Sequence, residues 1–149
     1  MELGVGFQPE LPAEENVYMY SSILGISLKE VERKYDDIFD FAELRKFKNM
    51  KLKNFSSGMY MRLAFSTAIH ANPDTLLINE VFAVGDEAFQ KKCIVKINEF
   101  KEQGKTMVFV SHDLNTVKSL CQRSLLLNAG RMISIVGTEK VISDYQRNM

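Results

Sequence analysis

The chain has 149 residues, and its 19 Lys and Arg side chains balance 19 Asp and Glu side chains. A formal net charge of zero gives no general attraction to phosphate backbones or anionic lipid, which argues against a nucleic-acid-binding or membrane-surface protein. The length predicts a single domain that can bury a core without a disulfide scaffold.

Neither the cysteines nor the hydropathy pattern indicates a metal, redox or membrane-spanning protein. Cys93 and Cys121 lack the C-x-x-C spacing of a zinc or redox site, and we expect both to be buried thiols in a reducing cytosol. The sequence contains no apolar run of about 18 residues and no signal peptide at its N-terminus. If the protein serves a membrane, it acts from outside the bilayer.

The first half of the chain has helical patterns separated by a basic loop. Ser27 and Glu30 form a capping box before apolar residues at helical spacing. Six bases and no acids follow over 45–62. Such a run is usually a solvated face, and the alternative is a basic loop that faces phosphate. The predicted helices span 14–24, closed by Gly25, then 27–44, and then a third that Ser56 or Ser57 caps and that Asn72-Pro-Asp ends.

The second half alternates strands with helices. A strand at 75–79, a helix at 87–103 and a strand at 106–110 predict a right-handed βαβ unit with a parallel sheet whose strands are buried on both faces. The remaining predictions are a helix at 113–122, strands near 124–128 and 131–136, and a last helix from Thr138. The predicted fold class is therefore α/β.

Three features of this pattern can carry chemistry. Glu80 and His112 follow neighbouring strands, at the sheet edge where open α/β proteins bind ligands, and Glu80 is suited to a general base. The helix opening at 56–58 offers unpaired N–H groups, two hydroxyls and a glycine to an anion. Each feature also has an ordinary structural explanation, since strand-end Glu or His side chains can be solvated and a capped helix needs no ligand.

In this order the motifs resemble those of an ABC-transporter ATPase. The segments are Phe55-Ser-Ser-Gly-Met59 for the signature motif, Asn72 to Glu80 for Walker B, Ala83-Val-Gly-Asp86 for the D-loop and Ser111-His-Asp113 for the switch histidine. The residues within these motifs, together with Gly4-Val-Gly-Phe-Gln8 at the Q-loop, are similar to those of the ATP-binding subunits of bacterial exporters of O-antigen, capsule or teichoic acid. The resemblance implies a parallel-sheet P-loop NTPase core with part of a helical subdomain.

The resemblance also implies roles for individual residues and for partners. A head-to-tail ATPase homodimer would bind ATP and Mg²⁺ and dock on integral membrane permease subunits, as a peripheral protein on the cytoplasmic face of the plasma (inner) membrane. The implied catalytic residues are Glu80, His112 and Gln8. The implied nucleotide contacts are Ser56, Ser57, Gly58, Met59 and Asp86, and the implied metal contacts are Gln8 and Asn79. The implied divisions are 1–8 (Q-loop), 9–54 (helical subdomain) and 55–149 (signature helix, Walker B, D-loop, switch histidine and C-terminal core).

The sequence departs from the family pattern in two ways. Walker B ends in Asn79-Glu80 instead of Asp-Glu. The Asn79 amide either binds Mg²⁺ adequately, or it binds Mg²⁺ more weakly than a carboxylate and hydrolysis is impaired. The P-loop pattern G-x-x-x-x-G-K-S/T is absent. We therefore expect the chain to be the C-terminal part of such an ATPase, with N-terminal strands missing, and to be inactive and poorly stable alone.

Three functional hypotheses follow. The first is the ATP-hydrolysing subunit of a polysaccharide or teichoic acid exporter, represented by its C-terminal portion. The alternative is a catalytically inactive remnant that keeps the permease-docking surface without binding or hydrolysing ATP by itself. An ABC-type ATPase of DNA maintenance would need long heptad coiled coils, and the sequence has none.

Overall fold

The computed structural model describes residues 3–79 and 86–147 and divides the chain into two compact units. Residues 1–76 and 81–106 contribute to the first unit, and residues 77–80 and 107–149 contribute to the second. No helix in the described ranges combines the length and apolarity that a bilayer crossing requires.

Among its described residues the first unit has four α-helices, and their bounds lie close to those predicted from the sequence. They are α1 (Ala13–Ile23), α2 (Leu28–Ala42), α3 (Ser57–His70) and α4 (Glu87–Glu102). The predicted basic loop between α2 and α3 contains two short 3-10 turns, Arg45–Phe47 and Leu52–Asn54. The core is formed where α1 and α2 pack on α3. Its fully or almost fully buried side chains include Val17, Tyr20, Ile38, Phe39 and Leu63.

The predicted capping box of α2 is wrong in its hydrogen bonds. Ser27 is the residue before the helix, as expected, but its side chain makes no capping hydrogen bond. Glu30 instead accepts a hydrogen bond from Lys34 Nζ at 2.7 Å, one turn further along. Because Lys34 Nζ also donates to the His70 carbonyl at 2.9 Å, the lysine connects α2 to the last turn of α3.

A cluster of aromatic rings holds α4 against α2 and α3. Phe89 makes edge-to-face contacts with Phe41 and Phe65, at centroid distances of 5.8 and 6.2 Å. Cys93 is buried in the next turn of α4, and burial raises the pKa of its thiol to about 12. The prediction of a buried thiol is therefore confirmed for Cys93, whereas Cys121 is only half-buried.

The described part of the second unit contains two small sheets and two helices. The strands are β1 (Thr75–Asn79), whose C-terminal half belongs here, β2 (Thr106–Val110), β3 (Arg123–Asn128) and β4 (Arg131–Gly137), and the helices are α5 (Leu114–Leu120) and α6 (Thr138–Arg147). β1 pairs with β2 in a parallel sheet, and β3 pairs with β4 in an antiparallel hairpin. The hairpin turn uses Ala129 and Gly130, both with positive φ.

The prediction that the strands at 75–79 and 106–110 are buried on both faces is wrong. In β1, Ile78 is buried but Leu77 is exposed, and in β2 both Val108 and Val110 are about half exposed. The physical reason is that, among residues 3–79 and 86–147, each sheet has only two strands, which leaves their apolar side chains uncovered. The β3–β4 hairpin is exposed in the same way, at Leu125, Leu127, Met132, Ile133 and Ile135.

We predict that this exposed apolar surface makes the isolated 149-residue chain self-associate, because uncovered apolar strands are templates for pairing. Leu127 and Met132 face each other across the hairpin and are 58% and 63% exposed. Leu127→Lys is expected to raise the monomer fraction measured by size exclusion with light scattering.

Gln146→Lys, on the exposed end of α6, adds the same charge without removing an apolar side chain and serves as the control. A monodisperse wild-type monomer with a cooperative thermal melt would contradict this prediction.

Candidate functional site

The N-terminus of α3 presents the predicted anion-binding features. Ser56 is the cap, since its Oγ accepts a hydrogen bond from the Met59 N–H at 3.2 Å. The Ser57 and Gly58 N–H groups occupy the first two helical positions, where no intrahelical carbonyl can accept from them. The partial positive charge of the helix end adds to these donors, so this turn has the chemistry to bind an anionic oxygen.

Gly58 leaves the approach to this turn open. A Cβ atom built at Gly58 meets a single neighbouring atom, Ser56 Oγ, at an ordinary 3.8 Å. The packing of the described residues therefore does not require glycine here. The missing side chain instead lets a ligand reach the backbone N–H groups.

A groove of about 690 Å³ opens in front of this helix end. All five predicted nucleotide-contacting residues line it, namely Ser56, Ser57, Gly58, Met59 and Asp86. Its other lining residues are Glu43, Leu44, Phe47, Met61 and Arg62. The fold thus brings together in one groove residues that were predicted from two separate motifs.

Arg62 is the residue that organises the charges of the groove, and the sequence prediction did not include it. Its guanidinium pairs with Glu43 at 3.0 Å and with Asp86 at 2.6 Å, and it lies over the Phe89 ring at 4.9 Å. Lys92 forms a second ion pair with Glu43 at 3.0 Å. Arg62 therefore links the end of α2, through Glu43, to the start of α4.

Asp86 also caps α4, because its Oδ1 accepts a hydrogen bond from the Phe89 N–H at 2.9 Å. That N–H and the Arg62 guanidinium hold the pKa of the Asp86 carboxyl below its usual value. In the described residues both carboxylate oxygens of Asp86 are thus engaged within the first unit.

The basic loop does not present a run of uncompensated cations. Arg45 pairs with Asp40 at 2.5 Å, and Lys53 pairs with Glu10 at 3.0 Å. Acids from elsewhere in the first unit thus neutralise several bases of this loop, whose contact with phosphate stays a prediction. Among the described residues that line the groove, Arg62 is the one cation and is paired with two acids, so the N–H groups at the start of α3 are the donors left for an anion.

Gln8 has an exposed side chain on a backbone that is held firmly. Its N–H donates to Asn16 Oδ1 at 2.6 Å, and its carbonyl accepts from Asn16 Nδ2 at 3.1 Å. Asn16 is fully buried and also donates to the carbonyls of Leu11 and Pro12. In the sequence, Asn16 stands out as a polar residue at a position where the helical spacing of α1 favours an apolar one.

The other candidate residues belong to the second unit or lie outside the described residues. Asn79 ends β1 and His112 follows the end of the neighbouring β2, and both are exposed. Ser111 Oγ accepts from the Asp113 N–H at 3.0 Å and stabilises the turn that carries His112. Glu80 lies outside the described residues.

The described residues fit a phosphate better than they fit a metal ion. Over 3–79 and 86–147 there is no group of three His, Cys, Asp or Glu side chains that could hold a metal. Gln8 and Asn79 would each offer one neutral amide oxygen, which is a weak ligand for a hard cation. The first turn of α3, in contrast, has the donors that a phosphate oxygen requires.

The chain is similar over its whole length to ATP-binding proteins of bacterial export systems. It is 41% identical to the O-antigen export system ATP-binding protein RfbB of Klebsiella pneumoniae, over all of the chain and 61% of that protein. It is 39% identical to the teichoic acids export ATP-binding protein TagH of Lactiplantibacillus plantarum, over 99% of the chain and 40% of that protein. The chain thus spans about two fifths to three fifths of these relatives.

Solved structures show the same fold. An ATP-binding subunit of an ABC transporter matches with a TM-score of 0.83 and 23% identity, over 98% of the chain and 60% of that structure. A dimeric ATP-binding cassette in a post-hydrolysis state, bound to ADP and Pi, matches with a TM-score of 0.71 and 26% identity, over 91% of the chain and 60% of that structure. No protein-family model matches the chain. The chain is therefore homologous over its whole length to part of the ATP-binding proteins of O-antigen and teichoic acid export systems, and it has the fold of an ABC-transporter ATPase.

Proposed function

We propose that this chain works as part of the ATP-binding and ATP-hydrolysing subunit of an ABC transporter that exports a cell-surface polysaccharide or teichoic acid. The observation that carries the proposal is the single groove at the start of α3, which is lined by all five residues implicated in nucleotide contact. The similarity to O-antigen and teichoic acid export proteins supports the class of cargo.

In this proposal the first turn of α3 contacts the γ-phosphate of an ATP held mainly by a second ATPase subunit, in a head-to-tail homodimer. The Ser57 and Gly58 N–H groups and the Ser56 and Ser57 hydroxyls donate to phosphate oxygens. Each hydrogen bond to a charged group is worth about 1.5–3 kcal/mol. The dimeric state of the ADP-bound relative is consistent with this arrangement.

The remaining catalytic roles are assigned from the motifs. In this assignment Glu80 would polarise the attacking water, His112 would contact the γ-phosphate and Gln8 would contact the water. Gln8 and Asn79 would each offer an amide oxygen to Mg²⁺. Mg²⁺ would neutralise developing charge on the phosphates. Catalysis of this kind depends on positioning, so the exposed amide of Gln8 on an anchored backbone suits its role.

We propose that the first unit also docks on an integral membrane permease at the cytoplasmic face of the plasma (inner) membrane. The support is an exposed apolar surface on and after α1, where Ile23 is 55% and Leu28 is 64% exposed. Met19 and Val5 add to it. These apolar side chains suit the cytoplasmic helices of a membrane protein, and the zero net charge makes nucleic acid an unsuitable partner.

The alternative function is a catalytically inactive remnant that keeps the docking surface but does not bind or hydrolyse ATP by itself. One specific observation favours it, since Asn79 stands where the family pattern has an Asp and brings no negative charge to a metal ion. The tests below separate the two candidates. They use the intact ATPase subunit, meaning this sequence with whatever flanks it in its gene.

The two roles of Ser56 can be separated by substitution. Ser56→Ala is expected to lower the free energy of unfolding by about 1 kcal/mol, whereas Ser56→Gly costs only a few tenths. Both variants lack the hydroxyl and should weaken ATP-dependent dimerisation, measured by analytical ultracentrifugation, by the same factor. Ser22→Ala, on the exposed face of α1, is the control. If Ser56→Ala weakens dimerisation more than Ser56→Gly does, in line with its larger loss of stability, Ser56 acts only as a helix cap.

Glu80→Gln is expected to abolish ATP turnover while preserving or strengthening ATP-dependent dimerisation, because the amide cannot act as a base but keeps the shape of the side chain. Phosphate release and ultracentrifugation measure the two effects. Glu87→Gln, in the exposed first turn of α4, is the matched control. Unchanged hydrolysis in Glu80→Gln would remove Glu80 from the role of base.

Asn79→Asp distinguishes an impaired ATPase from an adequate one. If the amide limits Mg²⁺ binding, the added carboxylate should lower the Mg²⁺ concentration needed for half-maximal hydrolysis and raise the rate. The measurement is a Mg²⁺ titration of ATP turnover. An unchanged titration in an active subunit would show that the amide serves the metal adequately. A lack of turnover in both forms would favour the inactive remnant.

A further inference from the structure

We infer that Tyr60 is a positioning residue that connects the start of α3 to the segment carrying Gln8. The inference rests on the proposed function, in which α3 and Gln8 contact nucleotide. It concerns a direct contact between the two segments, which lie more than 50 positions apart in the sequence.

Tyr60 belongs to the same helical turn as the proposed phosphate donors. Its backbone N–H donates to the Ser56 carbonyl at 3.0 Å, which places it in the first hydrogen-bonded turn of α3. Its phenolic O–H donates to the Gly4 carbonyl at 3.1 Å. A displacement of this helical turn therefore acts directly on the backbone at Gly4.

The contact at Gly4 is close enough to require glycine. Gly4 has φ +77°, and a Cβ atom there would lie 2.8 Å from the Tyr60 ring carbon Cε1 and from its hydroxyl oxygen. A real Cβ is not found at such a distance, so any other residue would push the tyrosine away. Glycine at position 4 thus allows both the positive φ and the close approach of the Tyr60 ring.

The segment between Gly4 and Gln8 is held at successive points. The Gly4 carbonyl accepts a second hydrogen bond, from the Phe7 N–H at 3.0 Å. The Phe7 ring packs edge-to-face against Tyr60 at 5.1 Å and against Tyr20 at 5.2 Å. The next residue, Gln8, is bound by Asn16 through both its N–H and its carbonyl.

These contacts form a short physical connection from the phosphate-facing turn of α3 to Gln8. In a head-to-tail dimer the two ends serve different nucleotides, because α3 contacts the ATP of the opposite subunit and Gln8 acts at the site of its own. Tyr60 therefore makes the position of Gln8 depend on whether the turn of α3 is engaged. Such a coupling is demonstrated only when two perturbations prove non-additive.

Tyr60→Phe is the sharpest test, because it removes one hydrogen bond and leaves the ring against Phe7. In the intact ATPase subunit we expect kcat to fall about two- to tenfold with the KM for ATP unchanged. Amide hydrogen exchange over residues 4–8 should become faster, while exchange over α4 stays the same. In a Gln8→Ala background, Tyr60→Phe should cause no further loss of kcat. Tyr145→Phe, on the exposed end of α6, is the matched control.

The outcomes separate this inference from the proposed function. An active wild type whose Tyr60→Phe variant keeps its kcat and its exchange over residues 4–8 overturns the inference alone. The inference is also overturned if Tyr60→Phe lowers kcat by the same factor in the wild-type and Gln8→Ala backgrounds, because Tyr60 then acts independently of Gln8. A wild-type subunit without hydrolysis overturns the proposed function and the catalytic coupling with it.

Discussion

The burial of one face of α3 against α1 and α2 is the contact on which the geometry of the first unit depends. Leu63 and Ala64 have no exposed surface, and the Ser66 hydroxyl donates to the Ile38 carbonyl at 2.5 Å. With that face fixed, the helix carries three different contacts near its start: the donors at its N-terminus, Tyr60 against Gly4, and Arg62 between two acids. A rigid helix keeps its N-terminal donors at a constant position relative to the Tyr60 and Arg62 contacts.

Many of the opposite charges in the first unit are paired with one another. Three of the bases over 45–62 pair with acids on α2, before α1 and at the start of α4, namely Arg45, Lys53 and Arg62. Exposed pairs of this kind contribute little to stability. Their consequence is electrostatic, because they leave the helix end as the main source of positive potential in the groove.

Local features of this fold could be predicted from the sequence, and non-local ones could not. The Ser56 cap and the helix bounds follow from a few neighbouring residues, and the structure agrees with them. The Ser27 capping box is not formed, since the Ser27 side chain makes no capping hydrogen bond and the Glu30 carboxylate pairs with Lys34 instead. Burial of β2 failed because an apolar run indicates a strand but not the number of strands beside it. The links made by Arg62 and Asn16 join distant segments, and spacing alone does not reveal such partners.

The composition of the groove bears on the role of α3 in the proposed cycle of ATP binding and release. Arg62 is the one cation among the residues described as lining it, and two carboxylates already neutralise that charge. Backbone N–H groups and a helix dipole can bind a phosphate but do not match a free lysine or arginine in long-range attraction. Under the proposed function, this helix end would recognise a γ-phosphate held by the opposite subunit, and the contact would be lost when that phosphate is cleaved. Weak intrinsic affinity then becomes an advantage, because the engaged and released states of α3 differ by only a few hydrogen bonds.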